Sequence, residues 1–144
     1  MSEGVTEITA VWKGETTFIG RNSSGGTVQM GSLDGKPGIG PMTLLLVAAA
    51  GCTGDDIVSI LQKKHVDFTD MQVRVSGERA VDYPKIWSKI HITFLIWGRN
   101  IEPWDVEQAI ELSENKYCSV GIMLGKSAGI TSEYKILLPG TSAI

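Results

Sequence analysis

Residues 40–64, GPMTLLLVAAAGCTGDDIVSILQKK, decide the fold because they predict one long helix with Cys52 at its middle. Pro41 suits the first helical turn, where its missing N–H needs no intrahelical partner. Positions 42–52 are apolar or small almost without exception, so the helix presents apolar side chains on nearly every face. This run is about half of the roughly 20 residues that a bilayer span needs. We therefore expect a core helix enclosed by other elements, with Cys52 where the packing is densest.

The composition of the 144-residue chain is that of an ordinary globular protein, with 42% hydrophobic residues, 20% charged residues and a net charge of −3. No basic stripe exists beyond Lys63 and Lys64, which argues against a nucleic-acid partner. The N-terminal residues lack the charged-then-apolar order of a secretory signal, so we expect a cytoplasmic protein. In that reducing compartment, Cys52 and Cys118 are either inert core residues or a redox pair.

Hydrophobic periodicity divides the chain into short elements in the order β-β-β-α-β-β-α-α-β. This order predicts a single α+β domain in which antiparallel sheets surround the long cysteine-bearing helix. Residues 139–144 are expected to form a loose tail. The predicted elements are a β-meander (5–30), the central helix (41–64), a β-hairpin (68–98), two helices (102–126) and a final strand (131–138). The first of those two helices, 102–117, has a predicted inner stripe at Val106, Ala109, Ile110, Ser113 and Tyr117.

The central helix also indicates how the chain assembles. A helix that is apolar on all sides must be packed against other elements on all sides, whereas a sheet of this length can pack against only one side of the helix. A second copy of the chain would supply the remaining cover. We therefore expect an intertwined homodimer that buries a large apolar area.

The two cysteines are 66 residues apart, which excludes a CxxC motif and a zinc ligand set. A cysteine in an apolar helix, such as Cys52, is most often a small hydrophobe. Cys118 lies at a break before a predicted short helix, whose positive dipole end would favour ionisation of the thiol. If the two helices meet, the pair could form a disulfide. His65 and His91 are far apart without clustered carboxylates, so we expect no metal site and no cofactor.

Two segments resemble the cysteine motifs of the OsmC/Ohr family. Residues 41–61, with their proline, alanine-rich centre, Gly51-Cys52 and Asp56-Ile57, are similar to the family's first cysteine helix. The sequence ENKYCSV at residues 114–120 looks like its second cysteine segment. The order of elements agrees as well, so the resemblance covers residues 5–138, and it is greatest to the OsmC-like branch. The resemblance implies a swapped homodimer with two active sites at the interface.

The resemblance also implies a thiol peroxidase that acts on alkyl or fatty-acid hydroperoxides. Carried over residue by residue, Cys52 is the attacking thiolate and Cys118 is the resolving thiol that closes a disulfide. An external dithiol would then reduce that disulfide. Hydroperoxide reductases of the family stabilise the thiolate with an arginine from the N-terminal region. Arg21 is the only arginine before Cys52 and is therefore the candidate.

One departure from the family pattern leaves a second interpretation open. In the hydroperoxide reductases a glutamate in the first turn of the cysteine helix orients that arginine, whereas residues 41–44 read PMTL here and contain no carboxylate. Asp55 and Asp56 follow Cys52 closely, and negative charge there would oppose thiolate formation. The alternative is a non-catalytic dimeric OsmC-like module that binds an apolar ligand or partner. Neither interpretation predicts a nucleic-acid or membrane partner.

Overall fold

The computed structural model describes residues 4–143, which form two compact units. An N-terminal unit extends to Leu45, and a larger unit begins at Leu46, inside the central helix. The order of elements agrees with the predicted one, apart from a π-helical turn between the last two helices. The elements are β1 (Ile8–Gly14), β2 (Thr17–Asn22), β3 (Thr27–Met30), α1 (Pro41–Lys63), β4 (Asp70–Arg79), β5 (Trp87–Trp97), α2 (Pro103–Leu112), the π turn (Ser113–Tyr117), α3 (Ser119–Leu124) and β6 (Gly129–Leu137).

The N-terminal unit is the predicted antiparallel meander, with β2 between β1 and β3. The alternating pattern of β1 predicts a half-buried strand, but Ile8 and Trp12 are 66% and 63% exposed. A three-stranded sheet offers no second layer within its own unit for these side chains to pack on. The apolar side chains of β1 are therefore exposed in the single chain.

The larger unit contains a second three-stranded sheet in the order β4-β5-β6. β4 and β5 form the predicted antiparallel hairpin, whereas β6 runs parallel to β5, from Lys89 paired with Gly129 to Trp97 paired with Leu137. The expectation of purely antiparallel sheets is therefore wrong for this sheet. Parallel neighbours require a crossover connection of a dozen or more residues. The helices between β5 and β6 form such a connection, which allows β6 to run parallel to β5.

The hydrophobic core of the larger unit lies between one face of this sheet and the helices. Its largest fully buried side chain is Phe94 of β5, and Ile90 and Ile96 point to the same face. The end of α1 is joined to the start of α2 by an ion pair between Lys64 Nζ and Asp105 Oδ1, 3.3 Å apart. The helical side chains of this core are Leu46, Ile57 and Leu61 from α1 and Val106, Ala109 and Ile110 from α2.

Burial along α1 is one-sided. Ala49, Thr53, Ile57 and Leu61 are buried at successive i+4 positions, whereas Val47 is 46% exposed. This one-sided burial agrees with the expectation that a single chain covers only one side of the helix. The expectation that Cys52 lies in its densest packing is wrong for the single chain, since Cys52 is only half-buried. By length and composition α1 would suffice to cross a membrane, a criterion that the core helices of soluble proteins also meet.

Thr141 and Ala143 are fixed to the sheet, contrary to the expectation of a loose tail over residues 139–144, of which residue 144 lies outside the described part of the chain. The indole Nε1–H of Trp97 donates to the carbonyl oxygen of Thr141 at 2.8 Å, and the Arg74 guanidinium donates to the carbonyl oxygen of Ala143. Trp97 is buried even though it ends its strand. A buried indole N–H needs an acceptor, and the tail supplies one.

We expect deletion of residues 140–144 to destabilise the chain by about 1–3 kcal/mol, because the buried Trp97 N–H loses its acceptor. Urea unfolding of the deletion variant would measure this change. In a Trp97→Phe background, which lacks the donor, the same deletion should cost less, and the difference gives the coupling between indole and tail. Equal costs in both backgrounds would show that the tail does not act through Trp97.

Candidate functional site

Cys52 lies on α1 in the middle of the helix and is half-buried. Thr53, the next residue, points into the core and is almost completely buried. Asp56 lies one turn further along and is also half-buried. The central helix therefore presents a thiol, a hydroxyl and a carboxylate within about one turn.

Cys118 lies between the π turn and α3 and is only 3% exposed. Its backbone N–H donates to the carbonyl oxygen of Ser113 at 2.8 Å, which closes the π turn. Its sulfur accepts a hydrogen bond from the N–H of Gly121 at 3.3 Å and so caps α3. The backbone of Cys118 is therefore fixed by the π turn and its sulfur by the first turn of α3.

The π turn explains why Cys118, and not Tyr117, is buried. An α-helix would continue the inner stripe of α2 from Ser113 to Tyr117, four residues on. A π turn adds one residue, so the next inward position is Cys118 and Tyr117 is 49% exposed. The predicted inner stripe is therefore correct as far as Ser113 and wrong at Tyr117.

The structure brings together Cys52 on α1 and Cys118, which directly follows the π turn. The Cys52 side chain is close enough to the Cys118 thiol to raise its pKa, and both cysteines are free. The two helical segments do meet, as a disulfide between them would require. Sequence separation alone gave no measure of this proximity.

Burial raises the pKa of the Cys118 thiol from its ordinary 9.0 to about 11. The Gly121 N–H lowers this pKa, but the neighbouring Cys52 and the Asp56 carboxylate raise it further. Sequence reasoning predicted easier ionisation of Cys118 from its position before α3. That prediction is wrong because removal from water outweighs the single N–H at the start of a short helix.

A buried polar network lies beside the cysteine pair. Ser113 Oγ donates to Asp56 Oδ2 at 2.9 Å and lies 2.9 Å from Thr53 Oγ1. Since the Ser113 proton is directed at the carboxylate, the Thr53 hydroxyl donates to Ser113. The apolar spacing of residues 102–117 indicates Ser113 only as a member of the inner stripe and does not predict this role. The available signal was a serine in an otherwise apolar stripe, because buried hydroxyls require partners.

A cavity of about 390 Å³ adjoins Cys118 in the larger unit. Its walls are largely apolar, and its lining includes Cys118 but not Cys52. Cavities of this size, apolar with a few polar groups, are typical of sites for small molecules. Apolar lining comes from Ile90, Ile92 and Ile130, and polar lining includes Glu114, Asn115 and Lys126.

Arg21, the third residue of the predicted site, belongs to β2 of the N-terminal unit and is exposed. Both cysteines belong to the larger unit. Within the larger unit, the cationic side chain among the cavity-lining residues is Lys126. The first turn of α1 contains no acidic residue, as the sequence indicates.

Comparison with known proteins agrees with this arrangement of elements. Protein YhfA of Escherichia coli K12 is 37% identical over 126 residues, which cover 88% of this chain and 94% of that protein. The crystal structure of a hypothetical protein from Aquifex aeolicus is 35% identical, with a TM-score of 0.79 over 92% of this chain and 97% of its own.

The same fold occurs in an organic hydroperoxide resistance protein from Legionella pneumophila, which is 11% identical with a TM-score of 0.67. That match covers 94% of this chain and 99% of the other. A family model described as OsmC-like protein matches residues 33–133, well over half of the sequence. The chain therefore belongs to the OsmC-like protein family.

Proposed function

We propose that this protein is a thiol-dependent peroxidase for organic hydroperoxides, with Cys52 as the attacking thiolate and Cys118 as the resolving thiol. The observation that carries the proposal is the pairing of two free thiols from separate helical segments, close enough for Cys52 to raise the pKa of Cys118. The apolar cavity beside Cys118 supports an alkyl or fatty-acid substrate. The fold is also that of a protein named for organic hydroperoxide resistance.

The surroundings of the two sulfurs support this division of roles. Cys118 is buried, and a pKa near 11 keeps it a thiol at neutral pH. Cys52 is the more accessible of the two. Because the thiolate is the nucleophile in such reactions, Cys52 is the better candidate for the first attack.

The proposed reaction has two steps on the protein. The Cys52 thiolate attacks the terminal peroxide oxygen, so that an S–O bond forms, the O–O bond breaks and an alcohol leaves after taking a proton. The sulfur is thereby oxidised to a sulfenic acid. The Cys118 sulfur then displaces the sulfenic hydroxyl, which leaves as water with the Cys118 proton, and an S–S bond forms. The disulfide prevents further oxidation to the irreversible acids.

Completion of the cycle requires an external dithiol, whose two thiols become a disulfide as both cysteines are restored. We propose that this takes place in the cytoplasm, where reducing systems keep cysteines in the thiol form.

The second candidate function is a non-catalytic module that binds an apolar ligand or partner. Two observations favour it: the first turn of α1 has no carboxylate, and the cavity is lined mainly by apolar groups. In this case the two cysteines would be neighbours that do not react with peroxide. The response of the thiols to peroxide distinguishes the two functions.

We expect one equivalent of cumene hydroperoxide to remove both free thiols of each chain and to produce a disulfide between Cys52 and Cys118. Thiol titration and mass spectrometry of tryptic peptides would measure this. Cys118→Ser should trap a sulfenic acid on Cys52, because the resolving thiol is absent, and Cys52→Ser should leave Cys118 unreacted. Unchanged thiols after minutes of exposure would favour the binding module.

We propose that Arg21 stabilises the Cys52 thiolate through the positive charge of its guanidinium. Arg21→Gln should then slow sulfenic acid formation by about tenfold, which corresponds to a loss of about 1.4 kcal/mol of charge stabilisation in the attacking state. Rapid-mixing kinetics in the Cys118→Ser background would isolate this step. Arg99→Gln, which removes an exposed positive charge elsewhere, is the matched control. Equal rates in the two variants would remove Arg21 from the site.

We also propose a homodimer, because apolar side chains remain exposed on both units of the single chain. Ile8 and Trp12 on β1 and Val47 on α1 are the clearest examples. A second copy of the chain would take these groups out of water, each square ångström contributing about 25 cal/mol. The expected sedimentation mass is twice 15.5 kDa.

The dimer predicts a specific effect of charge on β1. Ile8→Asp should raise the dimer dissociation constant by at least about 100-fold, because it would bury an unpaired carboxylate. Val81→Asp, at a position 88% exposed in the β4–β5 loop, should leave association unchanged. Sedimentation equilibrium would measure both. A wild-type mass of one chain at micromolar concentration would contradict the homodimer.

A further inference from the structure

We propose that Asp56 and Ser113 are positioning residues: their hydrogen bond fastens the π turn to α1 and holds Cys118 beside Cys52, so that the disulfide between the two can close. The catalytic part of this inference rests on the proposed peroxidase function. The positioning part rests on the hydrogen bonds of the larger unit alone.

The hydrogen bonds link the two cysteine-bearing segments at one point. Ser113 Oγ is bound by the Asp56 carboxylate and the Thr53 hydroxyl, both from α1, at 2.9 Å each. The backbone of the same serine accepts the Cys118 N–H at 2.8 Å. Ser113 is therefore fastened to α1 by its side chain and to Cys118 by its carbonyl oxygen. A shift of Ser113 would move Cys118 relative to Cys52.

The charges around Cys118 come mainly from one side. α1 contributes Asp56 and the Cys52 thiol, both of which raise the Cys118 pKa, and α3 contributes the Gly121 N–H, which lowers it. Among the other lining residues of the adjoining cavity, Glu114 and Lys126 carry opposite charges, and the strand residues there are isoleucines. Asp56 is the carboxylate that raises the Cys118 pKa, with a smaller effect than burial and the neighbouring Cys52.

Asp56 and Ser113 contribute in different ways, and substitutions can separate them. Asp56→Asn removes the charge but keeps an oxygen that accepts from Ser113. Ser113→Ala keeps the charge but removes the link between α1 and the π turn. The first should alter the ionisation of Cys118, and the second its placement.

The first test uses Cys118 as a single thiol in the Cys52→Ser chain, so that it needs no peroxidase activity. The rate of alkylation by iodoacetamide, followed as a function of pH, reports the thiol pKa. Asp56→Asn should lower this pKa, because the carboxylate is one of the groups that raise it, although burial of the thiol remains the larger cause. Asp55→Asn removes an exposed carboxylate one residue away and should leave it unchanged. Equal profiles for the two variants would overturn the role of Asp56.

The second test measures disulfide formation between Cys52 and Cys118 at equilibrium with reduced and oxidised glutathione. Ser113→Ala should lower the equilibrium constant by about tenfold, because two thiols that are less well placed have a lower effective concentration. Ser113→Thr, which keeps the hydroxyl, should restore it. Ser119→Ala alters an exposed serine beside Cys118 and should have no effect. An unchanged constant in Ser113→Ala would overturn the positioning role.

The two proposals fail in different ways. A wild-type chain that forms no disulfide with glutathione overturns the positioning inference. A chain that forms the disulfide with glutathione but does not react with cumene hydroperoxide overturns the peroxidase and leaves the positioning of Cys118 intact. Should Ser113→Ala not fold, the pKa comparison between Asp56→Asn and Asp55→Asn still decides the role of Asp56.

Discussion

The hydrogen bond from the Cys118 N–H to the Ser113 carbonyl oxygen closes a five-residue turn, and the position of the second thiol depends on it. Without the extra residue of this turn, helix periodicity would bury Tyr117 and leave Cys118 outside the core. Such π turns are rare and often occur at functional sites. Here the turn places a thiol next to α1, where Cys52 lies.

The polar groups near this turn are costly in an apolar core unless they bind one another. Thr53, Ser113 and Asp56 meet this condition as a chain of hydrogen bonds that ends on the carboxylate. Within residues 4–143, no buried side-chain nitrogen or oxygen lacks a partner. The network therefore brings a charge close to the thiols without an unsatisfied group. Its effect on Cys118 is to favour the thiol over the thiolate.

The two sulfurs consequently differ in environment although they are neighbours. Cys118 is enclosed, hydrogen-bonded by Gly121 and faced by negative charge, whereas Cys52 is more open. A two-step thiol reaction requires such a difference, since one sulfur must ionise first and the other must wait as a thiol. The cavity next to Cys118 adds an apolar space within the same unit.

The sequence by itself determined the local elements, because they depend on the spacing of apolar residues. It predicted the long helix from Pro41, the meander, the hairpin and the inner stripe of α2 as far as Ser113. The two cysteine segments also identified the family. Each of these features can be read from residues that are near one another in the chain.

Only the tertiary structure decided the features that depend on residues distant in sequence. The parallel pairing of β6 with β5, the acceptor that Thr141 offers Trp97, and the burial of Cys118 belong to this group. The pKa of Cys118 also belongs to this group. The position of Cys118 before α3, which depends only on its neighbours in the chain, predicts a lowered pKa. Burial by the surrounding core, together with Cys52, 66 positions earlier, reversed that expectation.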